Sequence, residues 1–230
     1  MHWIAILLTT AVLTLILYWL LISTEGVYLG RRMVVWLYDI TAYRYDGIKE
    51  FDAEAEQFFL IRPLLVRLRR IPNPLVLDVA TGTGRLPSFM LEAPTFNGRI
   101  VGLDASGKML ALASEKLRPY GHRVSLVQQV ADKLPFPDNQ FDLVTSLEAL
   151  EFFPSDTAAL QEMVRVLKPG GTLLVTRRKG REAKLFVGRY RTVAQFEAVL
   201  TQLGLEDVHT NPWQMDYDQV FGMKPISSNQ

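Results

Sequence analysis

Asp78 and Asp104, with the small residues between them, are the part of this chain best placed to hold a ligand. Asp78 ends a short apolar run at 75–79, Asp104 follows another at 99–103, and the turn after the first reads Ala80-Thr81-Gly82-Thr83-Gly84-Arg85. Residues this small let a ligand approach the backbone closely, and a helix starting there presents free N–H groups. A carboxylate ending the second strand is placed to accept both hydroxyls of a ribose. A nicotinamide-binding turn shares this much, but its fingerprint wants a third Gly or Ala where Pro87 stands. A tight turn that binds nothing is the plainer reading of the glycines alone.

A crevice of this kind needs alternating elements to build it. Strands are predicted over 75–79, 99–103, 124–128, 141–146, 172–176, 205–210 and 215–223, and helices over 85–91, 106–117, 156–167 and 192–203. Apolar strands alternating with helices give an α/β fold, a parallel sheet covered on both faces. Its ligands bind beyond the carboxyl ends of the strands. Thr192 and Gln195 form a capping-box pair. Upstream, 51–70 reads as a helix whose basic end (Arg67, Arg69, Arg70) suits a helix C-terminus, with a kink expected at Pro63. Pro72-Asn73-Pro74 closes it, and 227–230 reads as a flexible tail.

The chain has 230 residues, 49% hydrophobic and 21% charged, with 25 basic and 24 acidic side chains. That balance argues against a nucleic-acid partner. The absence of cysteine excludes a disulfide framework and a thiol nucleophile, and with only His2, His122 and His209 no metal site is expected. No charged side chain occurs before Glu25. Residues 3–22 are apolar apart from Thr9, Thr10 and Thr14, and as a helix would span about 30 Å. Trp3, Tyr18 and Trp19 stand near the ends, where rings favour the interface. A signal peptide would show a basic start, a shorter apolar run and a better cleavage site. So 1–24 is expected to be a single transmembrane anchor in the lipid bilayer. Arg31 and Arg32 then place the N-terminus outside and the body in the cytoplasm. The apolar stretch 27–40 is either an interfacial helix with Trp36 at headgroup level or a helix packed on the body.

Four pieces of the body settle the class: VLDVATGTGR (76–85), IVGLDASGKMLALASEKL (100–117), LPFPDNQFDLVTSLEALEFF (134–153) and EMVRVLKPGGTLLVT (162–176). In that order they resemble the class I S-adenosylmethionine-dependent methyltransferases, within them the group containing the ubiquinone/menaquinone C-methyltransferases. YDITAYRYD (38–46) is similar to the element that folds over the cofactor in that family. The resemblance implies a Rossmann-like, doubly wound sheet of seven strands, mostly parallel with the last antiparallel. That domain would occupy 72–226, behind a juxtamembrane and helical cap at 25–71. The implied cofactor is S-adenosyl-L-methionine. Asp78, Ala80, Thr81, Gly82 and Gly84 would line its methionine part, and Asp104 would bind the ribose hydroxyls. Ala105 and Met109 would pack on the adenine, with Ala131 and Asp132 by its amino edge. Ser146 and Leu147 would approach the sulfonium, and Tyr38 and Tyr45 would help cover the site. Val130 stands where the family commonly has an acidic residue, so Asp132 or a backbone carbonyl would have to meet the adenine amino group.

Methyl transfer from a sulfonium is an in-line displacement with a good leaving group, so alignment and water exclusion do much of the work. A base is needed only where the nucleophile must lose a proton. Glu148 and Glu151 are the candidates, on one face if their stretch is helical; the plainer reading makes both solvated loop charges. His122 reads as a surface turn residue and His209 as structural. A tethered enzyme meets lipophilic molecules at high local concentration, so the expected acceptor is small or lipophilic, such as a quinone or lipid. The basic segment 178–191 is placed to touch anionic headgroups. The anchor also offers a face to membrane-protein partners, and the alternative function is a non-catalytic subunit or assembly factor of a membrane complex.

Overall fold

A computed structural model of the protein describes residues 2–49 and 51–226; the tail read as flexible, 227–230, lies outside the described residues. The apolar stretch forms a helix, α1 (His2–Tyr18), continued by a wider turn over Trp19–Ser23. Together they are long and apolar enough to cross a membrane, and no residue of α1 is buried. A turn through Gly26 and Gly30, both at positive φ, leads into α2 (Arg31–Lys49). A Cβ on Gly26 would lie 2.7 Å from Met33 Cγ, so the turn needs glycine on two counts. Of the two readings of 27–40, the structure realises packing on the body. Val34 and Ala42 are buried, while Trp36, Ile40 and Tyr43 stay on the outer face.

The helical run expected over 51–70 begins at Asp52, whose carboxylate accepts from Ala55 N. It comprises α3 (Ala53–Ala55), a wide turn at Glu56–Ile61 and α4 (Arg62–Leu68). The irregularity sits just before Pro63, which brings no N–H for the preceding turn. The carbonyl of Phe59, four residues back, is instead met by Gln219 Nε2 at 3.0 Å.

Seven strands follow: β1 (Leu75–Val79), β2 (Arg99–Asp104), β3 (Val124–Gln128), β4 (Phe141–Ser146), β5 (Leu167–Arg178), β6 (Glu206–Pro212) and β7 (Tyr217–Met223). Their spatial order is β3-β2-β1-β4-β5-β7-β6. Neighbours from β3 through β5 pair in parallel, and the last strand, β7, runs antiparallel to both β5 and β6. The helices are α5 (Arg85–Glu92), α6 (Gly107–Leu117), α7 (Asp156–Val166), a short α8 (Gly180–Ala183) and α9 (Val193–Gln202). Pro87 is the third residue of α5, where an N–H would have no helical partner, so it costs the helix no bond.

Successive residues along a strand face opposite sides, and the core divides accordingly. Leu77, Val144 and Leu173 pack with Met163 of α7 and Phe196 of α9. Val76, Leu143 and Leu174 pack with Leu64 of α4, Met90 of α5 and Ala113 of α6. Strand β5 starts earlier than its apolar run: Lys168-Pro169-Gly170-Gly171 reads as a turn, yet Gly170 N donates to Lys224 O and Lys224 N to Gly171 O. The chain winds outward both ways from β1, so the switch point lies between β1 and β4.

Replacing Gln219, a buried residue, by leucine strips the Phe59 carbonyl of its partner. Urea unfolding should show a loss of about 1 kcal/mol for Gln219→Leu, the size of one hydrogen bond.

Candidate active site

Beyond the carboxyl ends of β1, β2 and β4 lies a cleft of ≈ 820 Å³, its open mouth included, with α2 as one wall. Its floor is the turn after β1, where Ala80, Gly82 and Gly84 all have positive φ. For Ala80 this is a sparsely populated conformation, and such strain gathers at functional sites. The turn is curled so that Gly82 N donates to Asp104 Oδ2 at 2.8 Å, and Ser106 N donates to Asp104 Oδ1 at 2.8 Å. Two amides therefore fix the carboxylate at the end of β2. Burial raises its pKa, against the lowering effect of those bonds. Ser106 also caps α6, accepting from Met109 N, and its hydroxyl donates to Asp39 Oδ1 at 2.5 Å. That bond ties α2 to the first turn of α6.

Of the residues singled out in the sequence, Tyr38, Tyr45, Ala80, Gly82, Asp104, Ala105, Met109, Ala131, Asp132, Leu147 and Glu148 line the cleft. Asp78, Thr81, Gly84, Ser146 and Glu151 do not. Asp78 is buried behind the turn and accepts from Thr145 Oγ1 at 2.7 Å. Burial pushes its carboxyl up to about 6, with the Thr145 hydrogen bond opposing. Thr81 stitches the turn to β2 through its N–H and Leu103 O. Gly84 serves packing: a Cβ there would lie 2.9 Å from Leu117 Cδ1 of α6. Ser146 is fully buried within β4.

The two candidate bases part company, and neither is a solvated loop charge. The stretch after β4 is a single tight turn, Leu150–Phe152, and Glu148 precedes it with φ of 52°. That backbone conformation sends the two carboxylates to different networks. Glu148 Oε1 accepts from Arg85 Nη1 at 2.6 Å, and its N–H donates to Thr176 Oγ1 at 2.6 Å. Glu151 is buried elsewhere, accepting from the Tyr217 hydroxyl and from Arg178 at 3.2 Å. Burial raises the Glu151 pKa while these partners lower it.

Sequence reasoning gave no role to Arg85. Its guanidinium is buried, grips Glu56 through Nη2 and Nε at 2.5 and 3.1 Å, reaches Glu148, and lies 3.8 Å from the centre of the Phe51 ring. Arg31 was also missed as a site residue. It lines the cleft and pairs with Asp132 at 2.9 Å. Phe152 and Phe153 close the far side, and Phe152 meets the Tyr38 ring edge-on. The Tyr38 hydroxyl donates to Glu25 Oε2 at 2.8 Å, and burial raises its pKa strongly. His122 is exposed on a turn, and His209 stacks on Phe221. The described residues hold no cluster of metal-ligating side chains.

Chemically, the cleft offers a carboxylate for a diol and apolar lining from Ala105, Met109, Val130 and Ala131. Beyond them stand the Tyr38, Tyr45 and Phe152 rings with the Glu148 carboxylate, a setting that suits a cation. Residues 77–175 match the family described as methyltransferase domain. That segment is a methyltransferase domain. The ubiquinone/menaquinone biosynthesis C-methyltransferase of Proteus mirabilis is 45% identical over 105 residues, 45% of this chain and 42% of that protein. The enzyme of the same name from Shewanella frigidimarina is 37% identical over 145 residues, 62% of this chain and 58% of that protein. The chain thus spans about half the length of the curated relatives it matches. Among solved structures, a SAM dependent methyltransferase from Aquifex aeolicus superposes with a TM-score of 0.63 at 21% identity, over 80% of this chain and 97% of that one. That likeness concerns the fold. The diol acceptor, the apolar lining and the cation-suited end suit the ribose, adenine and sulfonium of S-adenosylmethionine.

Two outcomes test this electrostatic account. Removing the guanidinium in Arg85→Ala takes from the buried Glu56 and Glu148 the cation they share, which should cost about 3–5 kcal/mol in denaturant unfolding. Asp78 ionises near 3.9 when unfolded and near 6 when folded. Between those values the folded chain holds more protons, so this group's contribution to stability falls as pH rises. Asp78→Asn keeps an acceptor for Thr145 and should flatten that fall. Urea midpoints at about pH 4 and about pH 7 will show a smaller drop in the variant than in the wild type.

Proposed function

We propose that this protein is a membrane-anchored methyltransferase that moves a methyl group from S-adenosylmethionine to a small or lipophilic acceptor, of quinone or lipid type, at the cytoplasmic face. The observation that carries the reading is the Asp104 carboxylate, fixed by the Gly82 and Ser106 amides at the mouth of the switch-point cleft. When bound, the cofactor supplies an electrophilic methyl group on a good leaving group. The chain's part is to hold, orient and dry the site. Asp104 binds the ribose hydroxyls, and Ala105, Met109 and Ala131 pack on the adenine. The Gly82 region takes the methionine part, and Asp78 steadies that turn from behind. Asp132 meets the adenine edge while its pair with Arg31 holds α2 over the site. Tyr38 and Tyr45 exclude water, and Leu147 lies beside the reacting group.

Glu148, rather than Glu151, is the carboxylate that faces the acceptor, because only Glu148 lines the cleft. It takes up a proton where the acceptor must lose one. The segment 25–71 acts as a cap on the 72–226 domain. Support for anchoring comes from the length and hydropathy of the His2–Ser23 span and its exposed sides. Support for the orientation comes from Arg31 and Arg32 on its C-terminal flank. A quinone-like acceptor is favoured by the names of the relatives above.

The full chain in detergent should bind S-adenosylmethionine and S-adenosylhomocysteine in calorimetric titration. Asp104→Ala should bind at least about tenfold more weakly, the worth of one hydrogen bond to a charged group. Glu148→Gln should keep the affinity for S-adenosylhomocysteine, which carries no sulfonium charge, and lose about 100-fold or more in methyl transfer to quinol acceptors in membrane extracts. No binding by well-folded wild type would overturn the enzyme reading. Binding without turnover on any lipid extract would favour a non-catalytic subunit.

A further inference from the structure

The span meets the body at the hairpin over 185–190. Trp19, inside the apolar span, donates its indole N–H to Leu185 O at 3.2 Å. Tyr28 stacks on Trp19 with ring centres 4.9 Å apart, and its hydroxyl donates to Val187 O at 2.9 Å. Phe186 points the other way, into a small core with Val27, Val34 and Phe152. Its neighbours therefore face out, and Val187 is 65% exposed with Leu185 and Tyr190 also exposed. Gly188, at φ of 77°, turns the chain at the tip. Arg181 and Lys184 are exposed just before it.

These contacts set a depth. A hairpin that accepts through its Leu185 carbonyl from a residue within the span has to lie at the level of that residue. Outward apolar side chains flanked by cations, at the level of a tryptophan near the end of a span, match the interfacial zone of an anionic leaflet. We propose that the 185–190 hairpin is a second membrane contact, with Leu185, Val187 and Tyr190 in the interface and Arg181 and Lys184 on anionic headgroups. This rests on the anchoring reading above. One helix alone lets a body swivel about its exit point. Adding the hairpin fixes the body's tilt to the bilayer, and with it the direction in which the wall formed by Phe152, packed on Phe186, faces.

The chain has no cysteine, so single reporters can be placed without other changes. Val187→Cys, Leu13→Cys and Asn97→Cys, each in the full chain, are labelled with an environment-sensitive fluorophore. Asn97 precedes β2 at the end of the sheet away from the cleft. The proteins are reconstituted into phosphatidylcholine vesicles containing phosphatidylglycerol, with or without nitroxide-bearing lipid. The expected result is a blue-shifted, nitroxide-quenched signal at 187 and at 13, and neither at 97. Quenching at 13 without quenching at 187 overturns the hairpin contact and leaves the anchor standing. No quenching at 13 overturns the anchor reading and this inference with it.

Discussion

Arg85 carries its guanidinium into a place almost closed to water, and two carboxylates from distant parts of the chain come to meet it. Glu56 arrives from the helical run ahead of the sheet and Glu148 from the turn beyond β4, 29 and 63 residues away in sequence. A buried carboxylate without a partner is costly, and a buried pair that loses one member is costlier still. The arrangement holds only if all three elements are seated together. It therefore joins the helical run ahead of the sheet, α5 and the central strand pair at one point. Phe51 and Trp213 over the guanidinium shield the same point from solvent.

The cleft depends on that junction twice. It fixes Glu148 in a left-handed backbone conformation that its residue type disfavours, helped by Thr176. It also holds the helical run that follows α2 against the sheet, and α2 forms one wall of the cleft. The second hold on α2 is polar and local, through Asp39 to Ser106 and Arg31 to Asp132. One end of the site is thus built from deep charges and the other from partly open ones, which salt and water reach more easily.

Much of this was legible in the sequence. The strands β1, β2 and β4 are apolar runs closed by a small or acidic residue, and the position of Asp104 follows from where its run ends. What escaped has physical reasons. Glu148 and Glu151 share the spacing of a helix face, but one positive φ and a tight turn send them apart, and no pattern announces either. Gly82 and Gly84 look alike as letters. Only the approach of Leu117 shows that the second makes room for a helix rather than for a ligand. The partners of Arg85 and Arg31 lie far along the chain, so their roles are tertiary facts. Lys168-Pro169-Gly170-Gly171 has the composition of a turn, and it joins β5 because Lys224 supplies both halves of a backbone bridge.

The order of the strands has a consequence for how the chain is made. Among the described residues, β6 pairs with β7 alone. On a ribosome, β6 emerges first and finds no sheet to join, because its neighbour has yet to be translated. Until then the free edge of β5, otherwise ready to pair with any passing strand, is left uncovered. The seven residues Tyr217–Met223 end this state in one step. They cover β5, receive β6, and through Gln219 complete a helix turn translated 160 residues earlier. The domain is finished by its final strand, and a message cut short before that strand yields an open edge rather than a smaller protein.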